Sequence, residues 1–207
     1  MINNNQIEIL LVEDNPDDAE LVKHELEKAG IVFSSRRVDT KEAFIKEIRD
    51  FAPDIILSDY SLPQFDGMSV IKLTKEIAPS IPVIMVTGPT NEEIAVECMK
   101  EGAEDYILKD RLARLGSAVI GTLEKKELRE EKEQAEVSLI QSFKQLQETI
   151  ESIIVLIGKI SEMRDPYTAG HQQRVAQLSY AIAQEMGLSE EQKKGIYMAA
   201  MVHDIGK

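Results

Sequence analysis

Apolar residues recur along the first half of the chain in short runs, separated by segments of helical period. Ile7 to Val12 is the first run; Asn15 and Pro16 after it suit an N-cap and a first helical position, and Gly30 suits the helix end. Phe33 to Val38 reads as a second strand, and Thr40 caps a helix that ends before Pro53. Ile55, Ile56 and Leu57 form a compact buried strand ending at Asp59. A helix from Gly67 to Ile77, a strand from Pro82 to Val86, a helix capped by Asn91 and ending at Gly102, and a strand from Tyr106 to Leu108 complete the series. Five short apolar strands alternating with helices predict an α/β fold, a doubly wound parallel sheet with helices on both faces.

The pattern changes after Lys109. No proline occurs from Asp110 to Arg164, and Leu112, Leu115 and Val119 follow a helical stripe into a highly charged stretch from Glu124 to Glu136. Beyond it Leu139, Phe143, Leu146, Ile150, Ile153, Ile157 and Ile160 alternate spacings of four and three. That 3.5-residue period predicts a coiled-coil seam and a homodimer; the alternative is one amphipathic helix packing on its own chain. Arg164-Asp165-Pro166 stops this helix, and another is expected from about Thr168 to Met186 with Gly187 at its end. Ser189-Glu190-Glu191-Gln192 has the form of a capping box and starts a helix carrying Ile196, Ala199, Ala200 and His203. The stretch up to Lys207 still reads as helix or helix end, so a truncated all-α fragment is expected. The expected organisation is a first domain over 1–125, a helical linker or coiled coil over 126–147, and the fragment over 148–207.

Composition narrows the function classes. Among 207 residues, 24 Lys and Arg face 37 Asp and Glu, a formal net charge of −13. Phosphate backbones demand clustered cations, and no basic recognition helix is present, so a DNA-binding output is not expected. Cys98 is the only cysteine; it lies in a helical pattern with Ala95, Val96 and Met99 and reads as a small core residue. No apolar run approaches the roughly 20 residues needed to span a bilayer, and Met1 to Gln6 is polar. A soluble, cytoplasmic chain without a membrane segment is the expectation.

In open parallel sheets ligands sit outside the carboxyl ends of the strands. There the first strand is followed by Glu13 and Asp14, the third ends in Asp59, the fourth is followed by Thr87 and the fifth by Lys109. One such polar residue alone would be read as a helix cap or a surface group; five in this order point to one site. Three close carboxylates repel unless a cation joins them or one is protonated, and oxygen-only ligands favour a hard ion such as Mg2+. The Asp59 carboxylate is then the nucleophile toward a phosphoryl donor. Lys109 and the ion offset charge on the transferring oxygens, and the Thr87 hydroxyl donates to one of them.

The stretches LLVEDNPDD, DIILSDYSLPQFDGM, PVIMVTG and GAEDYILKD resemble a receiver domain of a two-component response regulator, from Ile7 to about Lys125. The resemblance implies a flavodoxin-like (βα)5 fold with Asp59 as phosphoacceptor. It also implies direct Mg2+ contact by Asp14 and Asp59, contact through water by Glu13, and completion of the metal site by the backbone carbonyl of Ser61. Thr87 and Tyr106 resemble the switch pair of the family, and the implied partner is a cognate sensor histidine kinase donating from phosphohistidine. Two positions depart from the pattern: Asp110 follows Lys109 where many relatives have proline, so the usual cis peptide is not expected, and Gly88 replaces a common alanine.

In the second half His171, Val175, Leu178 and Ile182 share one helical face, and His203 shares another with Ile196, Ala199 and Ala200. Both histidines are therefore expected to point toward an interior, with Asp204 following directly, as candidate metal ligands. RDPYTAGHQQRV and MVHDIGK resemble the opening of an HD-GYP domain, a metal-dependent phosphohydrolase subgroup that cleaves cyclic di-GMP. The resemblance implies His171, His203 and Asp204 as ligands, with Asp204 bridging a pair of divalent transition metals (Fe, Mn or Zn), and Lys207 near the scissile phosphate. The remaining ligands come later in the family. These 207 residues are accordingly expected to lack phosphodiesterase activity and to expose apolar helix surface. The leading reading is a response regulator controlling a cyclic di-GMP phosphodiesterase; the alternative is a non-enzymatic, phosphorylation-dependent dimerising switch.

Overall fold

The computed structural model describes residues 6–63, 65–88, 92–164 and 170–204. In chain order these form β1 (Ile7–Val12), α1 (Pro16–Lys28), β2 (Phe33–Val38), α2 (Lys41–Asp50), β3 (Ile55–Ser58), α3 (Gly67–Ile77), β4 (Val83–Thr87), α4 (Glu92–Glu101) and β5 (Asp105–Leu108). A 3-10 segment (Lys109–Arg114) leads into α5 (Leu115–Arg164), followed by α6 (His171–Glu185) and α7 (Glu190–Met201). The expected cap at Asn91, the expected helix start at about Thr168 and the phosphate contact at Lys207 lie outside the described residues. Two compact units divide the chain, 1–132 and 133–207.

In the first unit the sheet is parallel throughout, in the order β2-β1-β3-β4-β5. Period-two alternation supplies both of its faces with core. Ile9 and Leu11 of β1, Ile55 and Leu57 of β3, and Ile84 and Val86 of β4 face Val22 and Leu26 of α1 and Leu115 and Val119 of α5. Leu10, Ile56, Val83 and Met85 face Phe44, Ile48, Val70, Ile71 and Cys98 of α2 to α4. Cys98 is fully buried in that layer, as its pattern predicted. The architecture is flavodoxin-like, and the strand order reverses between β1 and β3, which opens a crevice at their carboxyl ends.

Local sequence accounts for the helix ends around that crevice. Asn15 accepts from the Asp17 N–H and Pro16 occupies the first helical turn; Thr40 and Asp66 cap α2 and α3 in the same way. Gly67 is the tightest point, since a Cβ there would stand 2.8 Å from Cα of Tyr60 and 2.9 Å from the Asp59 carbonyl oxygen. Only glycine lets α3 begin directly against the segment that carries Asp59.

In the second unit α6 and α7 pack with the last turns of α5. The Tyr180 and Tyr197 rings meet edge to face at 6.4 Å, and Ser189 and Gln192 complete the capping box of α7. The side of α6 turned inward carries Gln172, Ala176 and Ala183. Leu178 and Ile182 are exposed, as are Met186 and Ile196. No helix among the described residues is long and apolar enough to cross a membrane.

Candidate functional site

The register of β1 and β3 pairs Val12 with Ser58, and the Asp59 N–H donates to the Val12 carbonyl at 2.9 Å. Glu13 and Asp59 therefore leave adjacent strands side by side. Carboxylate oxygens of Glu13, Asp14 and Asp59 lie within 4.8 Å of one another. Glu13 and Asp59 are buried, whereas Asp14 is exposed. Asp59 is held at both oxygens, Oδ1 accepting from the Ser61 N–H at 3.2 Å and Oδ2 from Lys109 at 2.8 Å. The contact that Ser61 makes is through its N–H.

Lys109 arrives from the end of β5. Its Nζ donates to Glu13 Oε2 at 2.8 Å and to Asp18 Oδ2 at 2.6 Å as well as to Asp59, so its three N–H donors are all engaged. Burial alone would lower the Lys109 pKa, but hydrogen bonds to Asp18, Asp59 and Glu13 outweigh it and hold the ammonium above the ordinary lysine value. At Glu13 burial pushes the carboxyl above its usual range, and Lys109 offsets only part of that.

Thr87 ends β4 almost fully buried, and among the described residues its hydroxyl has no hydrogen-bond partner. A buried hydroxyl left unpaired costs about 1–3 kcal/mol, so the site holds a donor in want of an acceptor. Tyr106 lies on the neighbouring strand, in register with Met85, with its ring against the α2–α4 layer.

Four carboxylates face the Lys109 ammonium, an excess of negative charge among these five side chains. The oxygen-only donor set, two of its members buried, fits a hard divalent cation, with Glu13, Asp14 and Asp59 as the residues that would hold Mg2+.

The second unit gathers a different set. One ligand atom each of His171, His203 and Asp204 lies within 4.8 Å of the others, and the two imidazole rings are 5.6 Å apart. His203 Nδ1 lies 2.7 Å from the Ala200 carbonyl oxygen, a contact that requires the proton on Nδ1 and leaves Nε2 as the coordinating nitrogen. His203 Nε2 stands 3.2 Å from Asp204 Oδ2, and His171 Nε2 stands 3.9 Å from the same oxygen. Two imidazole nitrogens and a carboxylate oxygen gathered this closely are a donor set that fits a divalent transition metal. The structure corrects one expectation: both histidines are exposed rather than turned to an interior. The covered faces of α6 and α7 are the ones lined by small residues and Gln172.

Residues 9–120 match the family of the response regulator receiver domain. The chain belongs to this family. Residues 168–207 match the HD domain. A cyclic di-GMP phosphodiesterase of Thermotoga maritima is 30% identical, over 96% of this chain and 56% of that protein. The cyclic di-GMP phosphodiesterase response regulator RpfG of Xanthomonas campestris pv. campestris is 29% identical, over 74% of this chain and 43% of its own length. The chain spans about half the length of the curated relatives it matches. The crystal structure of a response regulator receiver domain protein from Clostridium thermocellum covers 59% of this chain and 98% of its own, at 27% identity and a TM-score of 0.52.

Two residues of the receiver site escape a reading of the sequence. Asp18 lies beside Asp17 in the first turn of α1, where acidic residues are ordinary complements to the helix dipole. Arg37, at the end of β2, donates from Nη1 to the carbonyls of Glu13 at 2.8 Å and Asp14 at 3.3 Å. It ties the receiver's acidic loop to the edge strand. Neither carries a signal in spacing or composition that separates it from a solvated charge.

Proposed function

We propose that this chain is the receiver and opening output segment of a response regulator, phosphorylated on Asp59 with Mg2+ held by Glu13, Asp14 and Asp59. The observation that supports the reading best is the pairing of a buried Asp59 oxygen with Lys109, with Thr87 ending the strand next to the one that leads into Lys109 and its buried hydroxyl without a hydrogen-bond partner among the described residues. Bound at the three carboxylates, Mg2+ supplies charge neutralisation for the incoming phosphoryl group. An Asp59 oxygen attacks the phosphorus of a phosphohistidine on a sensor histidine kinase; the O–P bond forms, the P–N bond breaks, and the imidazole leaves and takes up a proton. Lys109 then pairs with a phosphoryl oxygen, and Thr87 donates to another. Tyr106, on the adjacent strand, is the aromatic partner of that hydroxyl in the switch. Labelling from a phosphohistidine donor or from acetyl phosphate tests the assignment. Asp59→Asn is expected to reduce incorporation to background, and labelling at an unchanged rate would overturn it.

The output proposed for the whole protein is hydrolysis of cyclic di-GMP in the cytoplasm at an HD metal pair (Fe, Mn or Zn). It is supported by the His171, His203 and Asp204 cluster and by the names of the relatives. Three donors do not complete a two-metal site that activates water, so these 207 residues alone are expected to leave cyclic di-GMP intact. Metal-dependent turnover by this chain would sink that part of the reading. The exposed stripe on α5 favours a further element, self-association of two copies. If a longer form also fails to hydrolyse cyclic di-GMP, a non-enzymatic dimerising switch becomes the better reading.

A further inference from the structure

We propose that Asp18 is a working member of the receiver site, a positioning residue that acts on Lys109 rather than on the cation and restrains phosphorylation of Asp59. The proposal rests on the phosphoacceptor reading above and deepens it. The Lys109 ammonium has three protons, and Glu13, Asp18 and Asp59 take all three. An incoming phosphoryl oxygen therefore gains Lys109 only when one of these carboxylates gives it up.

Their surroundings decide which one does. The Glu13 and Asp59 side chains are 7% and 9% exposed, so neither finds water if it loses its partner. Asp18 is 34% exposed and can exchange the ammonium for solvent. Its contact with the ammonium, at 2.6 Å, takes one of the three protons in the resting state, so that proton must be released before a phosphoryl oxygen can use it. It stands apart from the three carboxylates grouped closely enough to share one ion, which are Glu13, Asp14 and Asp59. Its place is fixed by the start of α1, where Asn15 caps the helix and Pro16 sets the first turn. The result is a charge that detains Lys109 and adds to the repulsion of an anionic donor, without serving the cation directly.

The test uses the full 207-residue chain and acetyl phosphate at saturating Mg2+. In this reaction the Asp59 O–P bond forms, the P–O bond of the donor breaks, and acetate leaves. Asp18→Asn and Asp18→Ala are each expected to speed phosphorylation at least about threefold, because the pair is partly buried, with Lys109 15% and Asp18 34% exposed, and so lies at or above the upper end for surface ion pairs. Asp18→Glu is expected to restore the slow rate. Mg2+ affinity, read by calorimetry, is expected to change less than the rate. An unchanged or slower rate in both neutral variants would overturn the Asp18 assignment while leaving the phosphoacceptor standing. So would a loss of Mg2+ affinity of tenfold or more, which would make Asp18 a ligand. No labelling of the unsubstituted chain would overturn the phosphoacceptor reading and this one with it.

Discussion

Glu13 and Asp59 lie out of solvent beside Lys109, whereas Asp14 is exposed and Asp18 partly so, and this difference sets four chemically similar groups in different surroundings. The buried pair depends on the ammonium or a cation for compensation; the two groups with access to water can be rearranged at lower cost. At the opposite edge of the sheet Glu104 shows the same logic in a simpler form. It accepts from Lys125 at 2.6 Å and Arg129 at 3.4 Å, both on α5. Burial alone would raise its carboxyl, but these two cations outweigh it and hold Glu104 below its ordinary value of 4.5. A carboxyl lowered in the folded state adds stability above its unfolded pKa and loses it as pH falls through the folded one. Because both cations are more than half exposed, the contribution is under about 1 kcal/mol. Glu104→Gln is therefore expected to lower the unfolding temperature slightly at pH 7 and to match the unsubstituted chain near pH 3. An equal deficit at both pH values would show that Glu104 acts by packing and not by charge.

At the scale of elements, the close approach of α5 to α6 and α7 rests on Gly158. A Cβ there would stand 3.1 Å from Met201 Cε and 3.2 Å from both the Met201 carbonyl oxygen and the Gln172 amide. Gln172 is buried, and with its amide turned so that nitrogen faces the two carbonyls it donates to Met201 O at 2.9 Å and Gly158 O at 3.1 Å. Gly158→Val is expected to destabilise the second unit by about 1–3 kcal/mol, because the backbone carbonyl cannot yield as a side chain would. Denaturant unfolding monitored by amide exchange in α6 and α7 would read this, and unchanged protection would refute it. The same interface explains where the sequence misleads. Periodicity identifies residues that share a helical face, but not which face is covered. Here close helix packing selects Gly158, Ala176 and Ala183, while the more apolar Leu178 and Ile182 stay exposed, and with them the inward histidines fail. In the receiver, alternation along strands and the rule for strand carboxyl ends locate Glu13, Asp14, Asp59 and Lys109, which the fold brings together, and Thr87, which ends the strand next to the one leading into Lys109. Asp18 and Arg37 remain hidden because their partners are fixed by the fold and not by spacing. The β4 and β5 bounds differ by one residue from those read in the sequence, because pairing rather than hydrophobicity sets where a strand begins.

For the whole molecule, the decisive surface is the one α5 leaves uncovered. Every residue from Glu127 to Ile150 is exposed. Leu139, Phe143, Leu146, Ile150, Ile153, Ile157 and Ile160 are all between 39% and 70% exposed, so the stripe does not pack on its own chain among the described residues. Along its last turns the buried Gly158 lies on the other side of the helix, which leaves the seven residues as a second apolar face without a partner. A stripe of this length is unfavourable in water, and its 3.5-residue period is the one that two helices can share as a supercoil. Phe143, Ile150 and Ile157 would occupy one seam position, and Leu139, Leu146, Ile153 and Ile160 the other. Leucine at the second position (Leu139 and Leu146) favours two strands, whereas isoleucine at both positions from Ile150 to Ile160 is the pattern of three or four, so the assembled mass decides between them. Light scattering of the 207-residue chain is expected to give about twice the monomer mass of 23.2 kDa. Leu146→Glu combined with Ile150→Glu places charges at adjacent layers of the seam and is expected to give a monomer that still takes up phosphoryl on Asp59. If phosphorylation acts through this helix, beryllium fluoride at Asp59 should change the dimer dissociation constant by about 5- to 150-fold, the usual range for coupling between two sites. A chain that stays monomeric with and without beryllium fluoride would remove the seam from the mechanism and leave the exposed stripe to a different partner.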